Sequence, residues 1–211
     1  SGAVMVRRTS PRDSSSARLS GVTAVSNSSA VGGGAIALQS GTLEVTASAF
    51  VENSTAFGYG GAILSTGTTM LSNVRLTGNT ARAGGGVGSF GRLTVNDSFI
   101  DQNVTSLAEG GGISSRSATI LRTVIVGNRA AGVGGGIYDE SNQIYLTDST
   151  LGYNTAGAGG GMHSSGGRIV GSTIDNNTAN DIGGGLFAAG NIEIINSTVS
   201  GNRAVTEGGG I

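Results

Sequence analysis

One motif returns through the whole chain: two glycines, a small residue, then an aliphatic one. It reads Gly33-Gly34-Ala35-Ile36, Gly60-Gly61-Ala62-Ile63, Gly84-Gly85-Gly86-Val87 and Gly110-Gly111-Gly112-Ile113, and it continues to end on Ile137, Met162, Leu186 and Ile211. These eight aliphatic ends lie 24 to 27 residues apart. Self-similarity at a period of this size confines a chain to stacked repeats, each covering the apolar face of the next.

A second landmark keeps the same beat. Asn27, Asn53, Asn79, Asn103, Asn128, Asn154, Asn177 and Asn202 are spaced 23 to 26 residues apart. Three residues before each stands Ala24, Phe50, Leu76, Ile100, Ile125, Leu151, Ile174 or Val199, and eight before stands Leu19, Val45, Leu71, Val95, Ile120, Leu146, Ile169 or Ile194. Around the latter slot apolar and polar residues alternate, as in Leu43-Glu44-Val45 and Ile192-Glu193-Ile194, which is the period of a half-buried strand. Six residues before the asparagine, Gly21, Asn73, Asp97, Asp148, Gly171 and Asn196 are bend formers. The phase of burial shifts there, so a corner is expected. A second short strand, a turn at the asparagine, a variable loop and a third strand after the glycines complete the unit.

Three strands and three bends in about 25 residues predict an all-β, right-handed, single-stranded parallel β-helix of about eight rungs. At the spacing of paired strands it would be a rod roughly 40 Å long. Stacking in register places like positions in vertical rows, and the charges agree with this. Arg18 falls one rung from Glu44, Arg168 one rung from Glu193, and Asp97, Arg122 and Asp148 occupy three successive rungs. The core anchors are then Ile36, Ile63, Val87, Ile113, Ile137, Met162, Leu186 and Ile211. The eight asparagines form a structural amide ladder inside the coil, each able to donate and accept along the stack.

Residues 1–211 read as a single β-helix domain, with residues 7–16 a polar surface loop or weak cap. The motif stands at both ends of the chain. The expectation is a segment of a longer protein, or one that associates end to end, because an open coil end would expose a sheet edge.

Function is less constrained. A formal charge of −1 gives no basic field for nucleic acid, and no apolar run is long enough for membrane insertion. Without cysteine there is neither disulfide nor thiolate metal site. The glycines lack the lysine of a phosphate loop, since all 12 basic residues are arginine, and they lack the nine-residue period of calcium-binding repeats. The carboxylates are scattered. Asp101 and Asp175 share a slot three rungs apart, Asp139 and Glu140 point to opposite sides of one strand, and solvation is expected for nearly all. His163, the only histidine, follows Met162 and is expected to point outward. No catalytic, cofactor or metal residue is assigned. Tyr138, His163 and Phe187 share an outward slot on adjacent rungs, a possible surface binding column for a glycan, with self-stacking along the rod as the alternative.

Glycine-glycine-alanine/glycine-aliphatic repeats paired with Phe-x-x-Asn, kept here as Phe50-Val51-Glu52-Asn53 and elsewhere as aliphatic-x-x-Asn, resemble those of the chlamydial polymorphic outer-membrane proteins and related bacterial surface β-helices. The resemblance spans nearly the whole chain. It implies a right-handed β-helix, secreted or held on the bacterial outer surface, with adhesive or structural roles and a glycan or host cell-surface protein as partner. This chain departs from the chlamydial proteins in having no cysteine. The expected function is a non-enzymatic stalk, adhesin module or filament-forming segment. Two alternatives stand beside it. One is a polysaccharide lyase or hydrolase whose site is degenerate or outside this segment. The other is an ice-binding face on the threonine slot of Thr23, Thr150, Thr173 and Thr198.

Overall fold

The computed structural model describes residues 4–6, 16–141 and 143–211. Within them thirty short strands, and no helix, build three parallel sheets of eight, fourteen and eight strands. The chain visits each sheet once per repeat, so it coils as a parallel β-solenoid of about eight turns. Below, a rung is numbered by its asparagine, from Asn27 (rung 1) to Asn202 (rung 8). The expected polar loop over residues 7–16 lies outside the described residues, apart from Ser16, which begins the strand Ser16–Ser20.

The first sheet carries the aliphatic ends of the glycine motif. Its register is unbroken: Ile36 pairs with Ile63, Ile63 with Val87, Val87 with Ile113, Ile113 with Ile137, Ile137 with Met162, and Met162 with Leu186. All seven are buried among one another and the residues three and eight before each asparagine. Ile211 departs from the expectation at 57% exposure, because an anchor is covered only when rungs lie on both sides and no described rung follows it.

The fourteen-stranded sheet holds both strands that precede the asparagine. The corner between them is a kink within one sheet. In rungs 2 and 3 single ten-residue strands, Thr42–Val51 and Thr68–Thr77, run straight through it. The residue six before each asparagine has positive φ in all eight rungs, including Ala47 at 45° and Arg122 at 46°, which are not bend formers. One left-handed residue adds an extra step to the strand and flips its alternation, as a β-bulge does. This explains why burial shifts phase there. Directly before each asparagine lies a second such column, Ser26, Glu52, Gly78, Gln102, Gly127, Tyr153, Asn176 and Gly201.

The third sheet is the unexpected one. Its strands are only two residues long, such as Ser54–Thr55 and Thr178–Ala179, directly after each asparagine where a turn was expected. The glycine motif follows. Its first glycine has φ between 60° and 70° from Gly60 onward. Its second admits no side chain: a Cβ on Gly135 would lie 2.2 Å from the Gly160 carbonyl oxygen and 2.7 Å from the backbone of Thr155. The glycines are therefore where neighbouring rungs touch backbone to backbone.

Two polar ladders run through the coil. In the asparagine ladder, Asn128 Nδ2 and its backbone N–H both donate to Asn154 Oδ1, at 3.0 and 2.9 Å. Asn128 Oδ1 accepts the same pair from Asn103, and Asn128 Nδ2 also donates to the Ile100 carbonyl. The amide-to-amide bonds repeat from Asn27 to Asn202, each donated toward the following rung, while from Asn53 onward the same Nδ2 also donates back to a carbonyl of the preceding rung. The six central amides are fully buried, and Asn27 and Asn202 are half-buried. Beside the kink runs a hydroxyl ladder through Ser48, Ser98, Thr123, Ser149, Ser172 and Ser197. Each hydroxyl donates to the carbonyl two residues earlier, and accepts the N–H of the rung before.

Candidate functional site

Because the interior is filled, chemistry must come from the outer faces. The outward residues of the anchor sheet form a register row of Ala37, Leu64, Gly88, Ser114, Tyr138, His163 and Phe187. Three aromatic residues end this row. Tyr138 and His163 pack edge to face at 5.4 Å between centroids, and His163 and Phe187 at 4.9 Å. These rings pack edge to face in series, so the column is a packed seam as it stands. His163 corrects the expectation of an exposed residue: it is half-buried, with Nδ1 lacking a partner among the described residues. Burial pushes its pKa below the ordinary imidazole value, so the ring is neutral at neutral pH.

Next to Tyr138 the row narrows to Ser114 and Gly88. The missing side chains leave a cleft of about 140 Å³, lined by Tyr59, Ser89, Phe90, Glu109, Ser114, Ser115, Arg116, Tyr138 and Glu140. Its parts come from four rungs. Tyr59, from the loop before the rung-2 glycines, lies over Gly88, where a Cβ would come within 2.8 Å of the Tyr59 Cβ. Tyr59 meets Phe90 edge to face at 4.9 Å. The Arg116 guanidinium sits 5.2 Å from the centre of the Phe90 ring and pairs with Glu140 at 2.9 Å. Glu109, from the loop before the rung-4 glycines, has no ion-pair partner among the described residues. The Tyr138 hydroxyl is pushed above its ordinary pKa by burial first, then by the charges of Glu109, Glu140 and Asp139. It is a hydrogen-bond donor, not a base, at neutral pH.

Compared with family models, curated proteins and solved structures, the chain matches none.

Other ion pairs lie along the outer faces. Arg18 meets Glu44 at 3.0 Å and Arg168 meets Glu193 at 2.9 Å, the pairs that register predicts. Arg122 forks onto Asp97 at 2.6 and 2.7 Å, and that hydrogen bonding holds the Asp97 carboxyl below its usual range. Arg122 takes only Asp97 of its two acidic neighbours in the slot. These two residues edge a larger, more open groove of about 630 Å³ along the kink, where the ladder hydroxyls Ser48 and Ser98 are already bonded.

Two carboxylates contradict the expectation of solvation. Asp101 is buried under Arg75, which bonds it at 3.3 Å, and it also accepts from Thr77 Oγ1. Asp139 is fully buried in an inward column of small residues that includes Ser65, Ser89, Ser115 and Ser164. It accepts from Ser115 Oγ at 2.7 Å and from the Ser141 N–H and hydroxyl at 3.0 and 3.1 Å. Burial raises its pKa, and those hydrogen bonds only partly oppose the rise. Asp101 and Asp175 stay separated by two intervening rungs, as their slot implies. Of the threonine slot, Thr150, Thr173 and Thr198 are contiguous, while Thr23 is followed by Ala49, Arg75, Phe99 and Val124. Among the described residues no three His, Cys, Asp or Glu side chains converge as a metal site would need.

Proposed function

We propose that the protein is a non-enzymatic rod that works outside the cell, as a stalk or adhesive module. Its ligand-bearing face is the outside of the anchor sheet. The observation that carries this reading is the division of labour between inside and outside. Two internal ladders and a continuous apolar column hold the rungs in fixed register, so outer side chains are presented at a rigid repeat of about 4.8 Å. Binding surfaces on solenoids are built this way, by variable side chains on an invariant frame. The resemblance of the Gly-Gly-Ala/Gly-aliphatic and Phe-x-x-Asn repeats to bacterial surface β-helices supports the extracellular setting. It also supports a glycan or cell-surface protein as partner.

A carbohydrate-cleaving enzyme is the second reading, and one observation favours it. Glu109 and Glu140, from neighbouring rungs, line one cleft with Tyr138, and both charges bear on its hydroxyl. Against it, Glu140 is held by Arg116 and the cleft is closed at one end by the aromatic seam. The two readings separate in one assay. Incubation with uronate polymers and neutral glycans should release no unsaturated or reducing ends above background. Turnover that disappears in Glu109→Gln would overturn the scaffold reading.

A further inference from the structure

The cleft between rungs 2 and 5 has a ligand chemistry of its own. Three aromatic residues line it: Tyr59 and Phe90 in contact with each other, and Tyr138 from the next rungs along. An aromatic face is negative, so rings gathered around a small space attract a cation whose hydration shell has been stripped. The structure already holds one instance, since the Arg116 guanidinium lies against Phe90. The formal charges lining the cleft are Glu109, Glu140 and Arg116, a net of −1. Arg116 and Glu140 cancel each other in their ion pair, so Glu109 is the uncompensated charge. Size points the same way. About 140 Å³ is far below the range of pockets that take drug-sized molecules, and suits a single compact head group. The space exists because rungs 3 and 4 carry glycine and serine in the slot that holds tyrosine, histidine and phenylalanine in rungs 5 to 7.

We infer that this cleft binds a compact organic cation, an alkylammonium head group, between the rings of Tyr59, Phe90 and Tyr138 with Glu109 as its counter-charge. Such a group occurs free, as in choline, or carried on a polymer, as on a methylated lysine. The inference rests on the anchor-sheet face being the ligand-bearing side of the rod.

The test is calorimetric titration of the whole chain with choline, with a peptide carrying trimethyl-lysine, and with the neutral alcohol in which carbon replaces the choline nitrogen. Saturable binding of choline or the peptide is expected at millimolar concentration or tighter, with the neutral alcohol at least about tenfold weaker. Tighter binding of the peptide than of choline identifies the polymer-borne source, and the reverse identifies the free one. Glu109→Gln, a change in a surface loop, should weaken binding about tenfold at low salt, and added salt should shrink that difference. Tyr138→Phe should retain binding and Tyr138→Leu should lose it, with thermal melts confirming that both fold. Equal affinity for the neutral alcohol, an unchanged affinity in Glu109→Gln, or a neutral sugar binding where choline does not, would each overturn the inference. None of these outcomes bears on the uronate assay, so the scaffold reading stands or falls separately.

Discussion

Asn128→Ala is the sharpest probe of the fold. In the intact protein Asn128 Oδ1 accepts the Asn103 backbone N–H at 3.0 Å and the Asn103 Nδ2 at 2.9 Å. Alanine removes that oxygen and leaves two buried hydrogens of Asn103 facing a void. It also takes one donor from the Ile100 carbonyl and one from Asn154 Oδ1. An orphaned buried donor costs about 1–3 kcal/mol, so the loss should be about 2–5 kcal/mol. Asn27→Ala supplies the control. Its side chain is half-buried and donates to Asn53 Oδ1, which keeps the Asn27 backbone N–H as a donor after the substitution. No described group depends on the Asn27 side-chain oxygen, and the expected loss is below about 1 kcal/mol. Urea denaturation of both variants at one protein concentration gives the comparison. Hydrogen exchange at the Asn103 amide then shows whether the damage is local. Equal destabilisation of the two variants, within about 0.5 kcal/mol, would refute a ladder whose strength depends on burial and on partners in both adjoining rungs.

Glycine substitutions should split by position. Gly135→Ala drives a methyl into the backbone of the next rung and should cost more than about 3 kcal/mol. Gly78→Ala, with φ of 64° and a Cβ that would meet only Glu52 Cγ at an ordinary 3.7 Å, should cost about 1 kcal/mol, both read by thermal melts. Asp139 titrates against stability in the unusual direction. Its folded pKa is raised, so its contribution is present in full below the ordinary carboxylate value near 3.8 and is lost as pH rises through the folded value. Asp139→Asn should therefore be the more stable protein at neutral pH, and its advantage should vanish on acidification; an advantage independent of pH would contradict the buried charge. His163 behaves oppositely. Its folded pKa is depressed below 6.5, so its contribution is present above that value and lost as pH falls through the folded pKa. His163→Phe should flatten that acid limb of the stability curve.

Much of this fold was legible because a solenoid repeats its constraints. One asparagine is weak information, but eight in phase with an apolar residue three and eight positions earlier specify both a column and a register. The kink was readable at Asn73 or Asp97, whose side chains tolerate positive φ. It was hidden at Ala47 and Arg122, where the neighbouring rungs impose the conformation on residues that do not prefer it. The two-residue sheet after the asparagine was missed for a related reason. A pair such as Ser54–Thr55 has no period of its own, and only the stack makes it a strand. The hydroxyl ladder did leave a trace, serine or threonine five before the asparagine in six of eight repeats.

The cleft was the least visible part. Phe90, Arg116 and Glu140 share the slot three after the anchor, and Tyr59 and Glu109 share the slot before the first glycine, but the residue type in each slot changes from rung to rung, so no repeated chemistry marks them. Their signal is negative: a glycine and a serine where the next three rungs place rings. The buried carboxylates were misjudged because burial of Asp139 comes from an inward column that is mostly serine, and small polar residues carry no hydrophobic mark.

The locality of the contacts has a mechanical consequence. Every ladder bond that crosses between rungs joins a residue to one roughly a period away, so the ladders tie each rung only to its two neighbours. Tension is carried from rung to rung in series, and a rung covered on one side only is the first to release. Under force such a rod should peel one turn at a time, each release paying out the slack of about 25 residues, roughly 90 Å of extended chain. The extension trace would be a sawtooth whose tooth spacing is the sequence period itself.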